Sequence, residues 1–284
     1  MDNLLYKYIE EFFSEMAIIN GHFVEFNSRI MKHTQNLQKI YTDNSIDINT
    51  LFSGSMIPFC DLTEPNDDGW LKYYPSDLFS IKGATYIAFA DKLIQRNAAL
   101  SAALSYEAFE RFLISITANF LMEYTSIEIK EKVEAFAQKK NMNLNVDLCR
   151  KYIEKQYKVG ESKCNNRYLF DFIREQSCDY AQFEHKNSRS IVLSDWYEAL
   201  SEARHAIIHS NFIVKRINKI TDPQKALLFE TMHGETVQSG YKIQMNADDI
   251  DKIFRLTIEM GFLVYKCLSI KANCEWNIGL FKMQ

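Results

Sequence analysis

LSDWYEALSEARHAIIHSNF, residues 193–212, is the stretch on which the reading of the chain turns. Trp196, Leu200, Ala203 and Ile207 recur at spacings of three and four, which places them in one apolar stripe of a helix. Glu198, Glu202, His205 and His209 share a second face at the same kind of spacing. Ser194 fits an N-cap, because its hydroxyl can accept from a free amide of the first turn. Arg204 lies between the two faces, with a side chain long enough to lean either way. The segment is expected to be one helix that buries its tryptophan face and carries a guanidinium and two imidazoles beside apolar surface.

Three chemistries fit that helix. In the plainest, the histidines and the arginine make structural hydrogen bonds at a packing seam, with Glu198 and Glu202 as partners. In the second, Glu202, His205 and His209 form a Glu-x-x-His and a His-x-x-x-His on one face. Metal-binding bundles complete such a set with glutamates from other helices. The third is metal-free cleavage of RNA.

ARHAIIHSN, residues 203–211, resembles the Arg-x4-6-His motif of the HEPN superfamily of helical ribonucleases. His205 supplies the polar residue that usually follows the arginine, and Ala206, Ile207 and Ile208 supply the apolar positions between. LSAALSYEAFERFL, residues 100–113, is similar to the alanine-rich helix that packs beside the motif helix in many members, with Glu107 at the position of their buried glutamate. Members silenced by a nucleotidyltransferase antitoxin often carry a tyrosine two residues after the motif histidine. Asn211 stands there in this chain, a departure that speaks against such modification.

The resemblance implies an all-α, HEPN-like helical bundle that acts as a homodimer with a composite active site. It implies Arg204 and His209 as catalytic residues, supported by His205, Glu107 and Asn211, with no metal or cofactor. It also implies a role as a toxin or anti-phage effector, in some cases paired with an inhibitor or sensor protein. The chemistry suits the residue types. RNA carries its own nucleophile, the 2′-hydroxyl, so a base must take its proton and an acid must protonate the leaving 5′-oxygen. Histidine serves both steps because its unperturbed pKa is ~6.5. A guanidinium presents forked donors to the charge that builds on phosphorus. Arg204 would stabilise that charge, His209 would move the proton, and His205 would orient Arg204 or bind phosphate. The products would be a 2′,3′-cyclic phosphate and a 5′-hydroxyl. The competing expectation is a catalytically silent helical module that dimerises or binds a partner.

The rest of the chain sets bounds. A net charge of −4 over 284 residues argues against broad electrostatic capture of nucleic acid and leaves room for a local basic groove. Residues 130–190 hold thirteen Lys and Arg against nine Asp and Glu, so Lys151, Lys155, Lys158, Lys163 and Arg167 are the first RNA-binding candidates. The six cysteines form no CxxC pair and no zinc-like cluster with histidine, which points to reduced thiols and a cytoplasmic protein. The N-terminus does not read as a signal peptide, and the longest uncharged apolar run, residues 112–122, is too short to span a bilayer.

In order, residues 2–19 read as an amphipathic helix that Gly21 breaks or bends, with helix resuming to Tyr41. Residues 43–79 hold three of the four prolines and recurrent aromatics, and read as a packed strap or lid. Residues 80–124 read as helix with a break near Asn97, and 126–140, 145–158 and 166–181 as further helices. Residues 218–223 read as a turn, 226–233 and 237–245 as strands of a hairpin, and the remainder to about Ala272 as a last helix. The expected division is 1–79, N-terminal helices plus aromatic-rich strap, and 80–284, the HEPN-like helical domain with a small β-hairpin before its last helix.

Overall fold

The structure, a computed structural model, describes residues 3–43, 47, 49, 51–55, 58–60, 73–75, 79–158, 166–215 and 217–277. Among these the chain is mostly helical, with small antiparallel sheets. It forms two compact units, one of Met1–Phe23 with Arg96–Gln284 and one of Val24–Gln95. Their boundaries fall inside helices α1 (Tyr6–Thr42) and α2 (Gly83–Glu123) rather than near residue 79. Neither helix breaks where the sequence suggested. Gly21 sits on an open helix surface with nothing within 4 Å of its would-be Cβ, so it weakens α1 without interrupting it. Asn97 is buried within α2, which contains no proline.

The unit of Val24–Gln95 is built on a nested pair of antiparallel ladders. Strand β1 (Leu51–Ser55) pairs with β4 (Phe79–Lys82), and β2 (Pro58–Cys60) pairs with β3 (Tyr73–Pro75). The strap expected over 43–79 is thus strand-bearing where it is described, while 44–46, 48, 50, 56–57, 61–72 and 76–78 lie outside the described residues. Leu37, Ile81, Tyr86 and Ala90 form its small core. Gly83 opens α2 against Tyr41, where a Cβ would stand 1.2 Å from the phenol oxygen, so a larger residue there would have to displace the tyrosine ring.

The larger unit packs the start of α1 against the small-residue seam of α2. Leu5, Ile9, Phe12 and Met16 are buried with Ala98, Ala99, Ala102 and Ala103. Phe12 stacks on Phe112 at 4.9 Å. Around them stand α3 (Ile127–Lys140), α4 (Val146–Tyr157), α5 (Tyr168–Gln176) and α6 (Cys178–Phe183). The single helix expected over 166–181 is divided at Ser177, whose hydroxyl accepts from Tyr180 N and caps the second piece.

Helix α7 (Leu193–His209) is the motif helix, with Trp196, Leu200, Ala203 and Ile207 buried as the spacing requires. It begins two residues earlier than expected. Val192 is its N-cap, and Ser194 is buried inside the first turn. Residues 217–219 form a short 3-10 turn, followed by α8 (Asp222–Thr231). The segment read as the first hairpin strand is therefore mostly helix. The missed signal is Thr221 with Gln224, a reciprocal capping box with Pro223 in the first turn. The hairpin itself lies just after, between β6 (Gly234–Val237) and β7 (Gly240–Ile243), and β5 (Ile213–Val214) extends it on the other edge of β7. Helix α9 (Ala247–Lys271) closes the unit, capped by Asn246 and Asp249.

Candidate functional site

Helix α7 is fixed at both ends. At its start, Leu193 N donates to Glu184 O at 3.2 Å. The Glu184 carboxylate is fully buried and is gripped by Arg174, through Nε and Nη2 at 2.6 Å each. At its end, Ser210 N closes on Ala206 O, and Asn211 and Phe212 take left-handed φ values of 50° and 66°. Asparagine tolerates that conformation well and phenylalanine poorly. Phe212 is kept there by the bond from Ile243 N to its carbonyl at 2.9 Å, which ties the turn to the sheet. Asn211 thus ends the helix and turns the chain into β5.

Helix α2 contributes the other wall. Tyr106 stacks on Tyr197 at 5.4 Å, and their hydroxyls are 3.1 Å apart. The Glu110 carboxylate accepts from Tyr106 at 3.0 Å and from Asn166 at 2.7 Å. Glu107, three residues before it, accepts from Arg204 Nε at 2.6 Å, and Arg204 Nη2 reaches the same oxygen. Both partners keep about a third of their side-chain surface exposed, 31% and 33%. Arg204 Nη1 has no hydrogen-bond partner among the described residues, so one edge of the guanidinium is held and another is presented.

Arg204 lines a cavity of about 570 Å³ together with His205, Glu202, Glu110, Ser210 and Lys215, among others. His205 and His209 are both exposed, with ring centroids 5.2 Å apart. His209 does not line this cavity. It stands five positions after Arg204, which on an α-helix turns the two about 140° apart. Within one chain the arginine and the terminal histidine therefore face different directions.

The remaining expected residues are placed as follows. Lys151 pairs with Asp147 at 2.8 Å and Lys158 with Glu154 at 2.9 Å, both on their own helix. Arg167 pairs with Glu198 of α7, and Lys155 Nζ lies 5.3 Å from the centre of the Phe136 ring. Lys163 lies outside the described residues. None of the four described cations reaches the Arg204 cavity, and Lys215 does. Glu198 does not serve the histidines: it binds Arg167 and Gln224, and burial pushes its carboxyl above the usual range.

Lys215 and Glu110 are the residues that sequence reasoning missed. Glu110 had a signal, since it shares the Glu107 face one turn on. Lys215 had none, because the two-residue strand that returns it to α7 is too short to read. A second Glu-x-x-His, Glu230 to His233, is also present. Its histidine binds the buried Asp249, Nδ1 to Oδ1 at 2.5 Å, and among the described residues no three His, Cys, Asp or Glu side chains are grouped to hold a metal ion. Cys60, Cys149, Cys178, Cys267 and Cys274 are free thiols. No helix among the described residues is long and apolar enough to cross a membrane.

No family model, no curated protein and no solved structure matches the chain.

Proposed function

We propose that the protein is a metal-independent endoribonuclease of the HEPN type, cleaving RNA through its own 2′-hydroxyl. The observation that carries the reading is the clamp between Glu107 and Arg204. It fixes one edge of the guanidinium of a residue that lines a cavity with His205 and Lys215 also on its wall. Such a fixed cation is suited to a phosphorane, because charge stabilisation costs no reorganisation when the donors are already in place. Arg204 holds the phosphate, His209 transfers the proton, and His205 and Lys215 bind the neighbouring charge.

The angular separation of Arg204 and His209 on α7 supports a homodimer, in which the histidine of one copy serves the arginine of the other. Exposed apolar side chains flank the clamp. Leu104 (52% exposed) and Leu100 (39%) precede Glu107 by one and two turns, and Ile208 (48%) follows Arg204 by one. Exposed leucine and isoleucine on the faces that carry the clamp are surface that a second copy would cover. In that setting the protein is a toxin or an anti-phage effector in the cytoplasm, held in check by an inhibitor or sensor protein.

The test is incubation of the purified protein with total RNA in excess EDTA, beside the His209→Ala protein. Cleavage by the parent alone, leaving 2′,3′-cyclic phosphate ends, is the expected result. A single 2′-deoxy nucleotide at the cut site should block cleavage there. Efficient cut at that position would overturn the mechanism. A second reading, a catalytically silent dimerisation module, draws on the fact that two Arg204 donors are already occupied. It predicts a dimer that leaves RNA intact and is unaffected in assembly by Arg204→Ala.

A further inference from the structure

A groove of about 660 Å³ lies among α3, α4 and α5, and it shares no residue with the Arg204 cavity. Its volume falls in the range of sites for small organic ligands, about 300–1,000 Å³. Lys132, Phe136 and Lys139 reach it from α3 at spacings of four and three, so one face of that helix is committed to it. Tyr152, Lys155 and Gln156 reach it from α4.

The lining is chemically divided. Phe136 and Tyr152 are almost fully buried and pack edge to face at 5.7 Å, which makes an apolar floor. Three exposed lysines stand around it in a protein whose net charge is −4. Lys132 is neutralised by Glu128 at 2.6 Å. Lys139 and Lys155 have no carboxylate within ion-pair distance among the described residues, and Lys155 rests its ammonium over the Phe136 ring. The opposing charge in the lining is Glu175, and it stands beside Tyr157, whose phenol it and burial keep protonated. Gln156 supplies an amide that can donate and accept.

An aromatic floor, two lysines without carboxylate partners and an amide at the rim supply the groups that a flat heteroaromatic base joined to a phosphate would use. We propose that this groove binds a nucleotide, with the base on the Phe136–Tyr152 floor and the phosphate on Lys139 and Lys155. The nucleotide has two sources, a free mononucleotide or one unit of a single strand. Single strands are held in the same way, by basic grooves with aromatic platforms. The inference does not rest on the ribonuclease reading.

Calorimetric titration of the full chain with AMP and UMP, beside adenosine, uridine and inorganic phosphate, tests it. At least one nucleotide should bind about tenfold or more tighter than its nucleoside and than phosphate. Lys139→Glu with Lys155→Glu should weaken that binding by about tenfold or more, and the corresponding double change to Gln should weaken it less. Both lysines are exposed, so unchanged circular dichroism melts are expected. A deoxyoligonucleotide of about eight nucleotides has no 2′-hydroxyl to be cut and separates the sources. Tighter binding than the mononucleotide assigns the groove to a strand, and equal or weaker binding assigns it to a free nucleotide. Binding of neither nucleotide nor oligonucleotide, equal binding of nucleoside, nucleotide and phosphate, or no change in the double Glu variant overturns the proposal. Each of these results is independent of whether RNA is cleaved.

Discussion

Arg204 Nε donates to Glu107 Oε1 at 2.6 Å, joining α7 to α2 across 97 positions of sequence. The pair is a third exposed, so its contribution to stability is small, about 0.2–1 kcal/mol for such a bridge. In the proposed mechanism its value to a phosphate is larger, because a preorganised donor acts where charge develops. Arg204→Ala is therefore expected to lower RNA cleavage by about 100-fold or more with a melting midpoint close to the parent's. Arg204→Lys should fail to restore it, since a single ammonium cannot hold Glu107 and present a second edge. Rates on a defined RNA, read beside thermal melts, check this. An Arg204→Ala protein that cleaves like the parent sinks the assignment.

Ile208→Asp places a carboxylate on the apolar surface one turn beyond Arg204, and Leu104→Asp does so one turn before Glu107. Each side chain is about half exposed in the single chain, so neither change should unfold it. Both are expected to shift the protein from dimer to monomer in light scattering and to abolish cleavage together with assembly. A parent that is monomeric at working concentration and still cleaves would remove the need for a composite site.

How far this was legible depends on the range of the interaction. The buried stripe of α7 and the start of α9 are local, written within one or two turns, and the sequence displays them. Glu107 was singled out through the resemblance of residues 100–113 to a helix of the HEPN superfamily; nothing in the spacing of α2 selects it as the partner of Arg204. The strand read over 226–233 failed although local signals pointed to helix: the capping box at Thr221 and the helix-forming Ala226, Leu227, Leu228 and Glu230. The paired strands at 51–55 and 79–82 failed for the opposite reason, since the pairing spans a stretch rich in proline and aspartate. Lys215 reaches the cavity only through β5, which two residues define and the β7 register positions.

Burial holds the thiols of Cys149 and Cys267 protonated, raising each from 9.0 to about 11. The unfolded chain releases those protons near the ordinary value. The native state thus binds more protons than the unfolded state between about 9 and 11, and stability must fall as pH rises through that window. Below it the contribution is fully present. The slope is at most about 1.4 kcal/mol per pH unit for each thiol. Urea midpoints measured across this window should decline, and the decline should be shallower in Cys149→Ala with Cys267→Ala. An equal slope in the parent and the double variant would show that other groups set the alkaline limit.

Arg174 and Glu184 give the sharpest stability prediction, because the carboxylate is fully buried and the helix that carries the site begins on its backbone. Removing the arginine leaves a charge that water cannot reach. Arg174→Met is expected to cost about 3–5 kcal/mol, far more than any exposed pair in the molecule. Glu184→Leu alone strands the guanidinium instead, but Arg174 is less buried and also pairs with Asp171, so the loss should be smaller. Changing both residues together removes the two desolvated charges, and such replacements are often neutral or stabilising. Urea unfolding of the four proteins gives the coupling directly. If Arg174→Met costs no more than a surface pair, Glu184 is not charged in the native state, and the anchoring of α7 rests on the backbone bond from Leu193 alone.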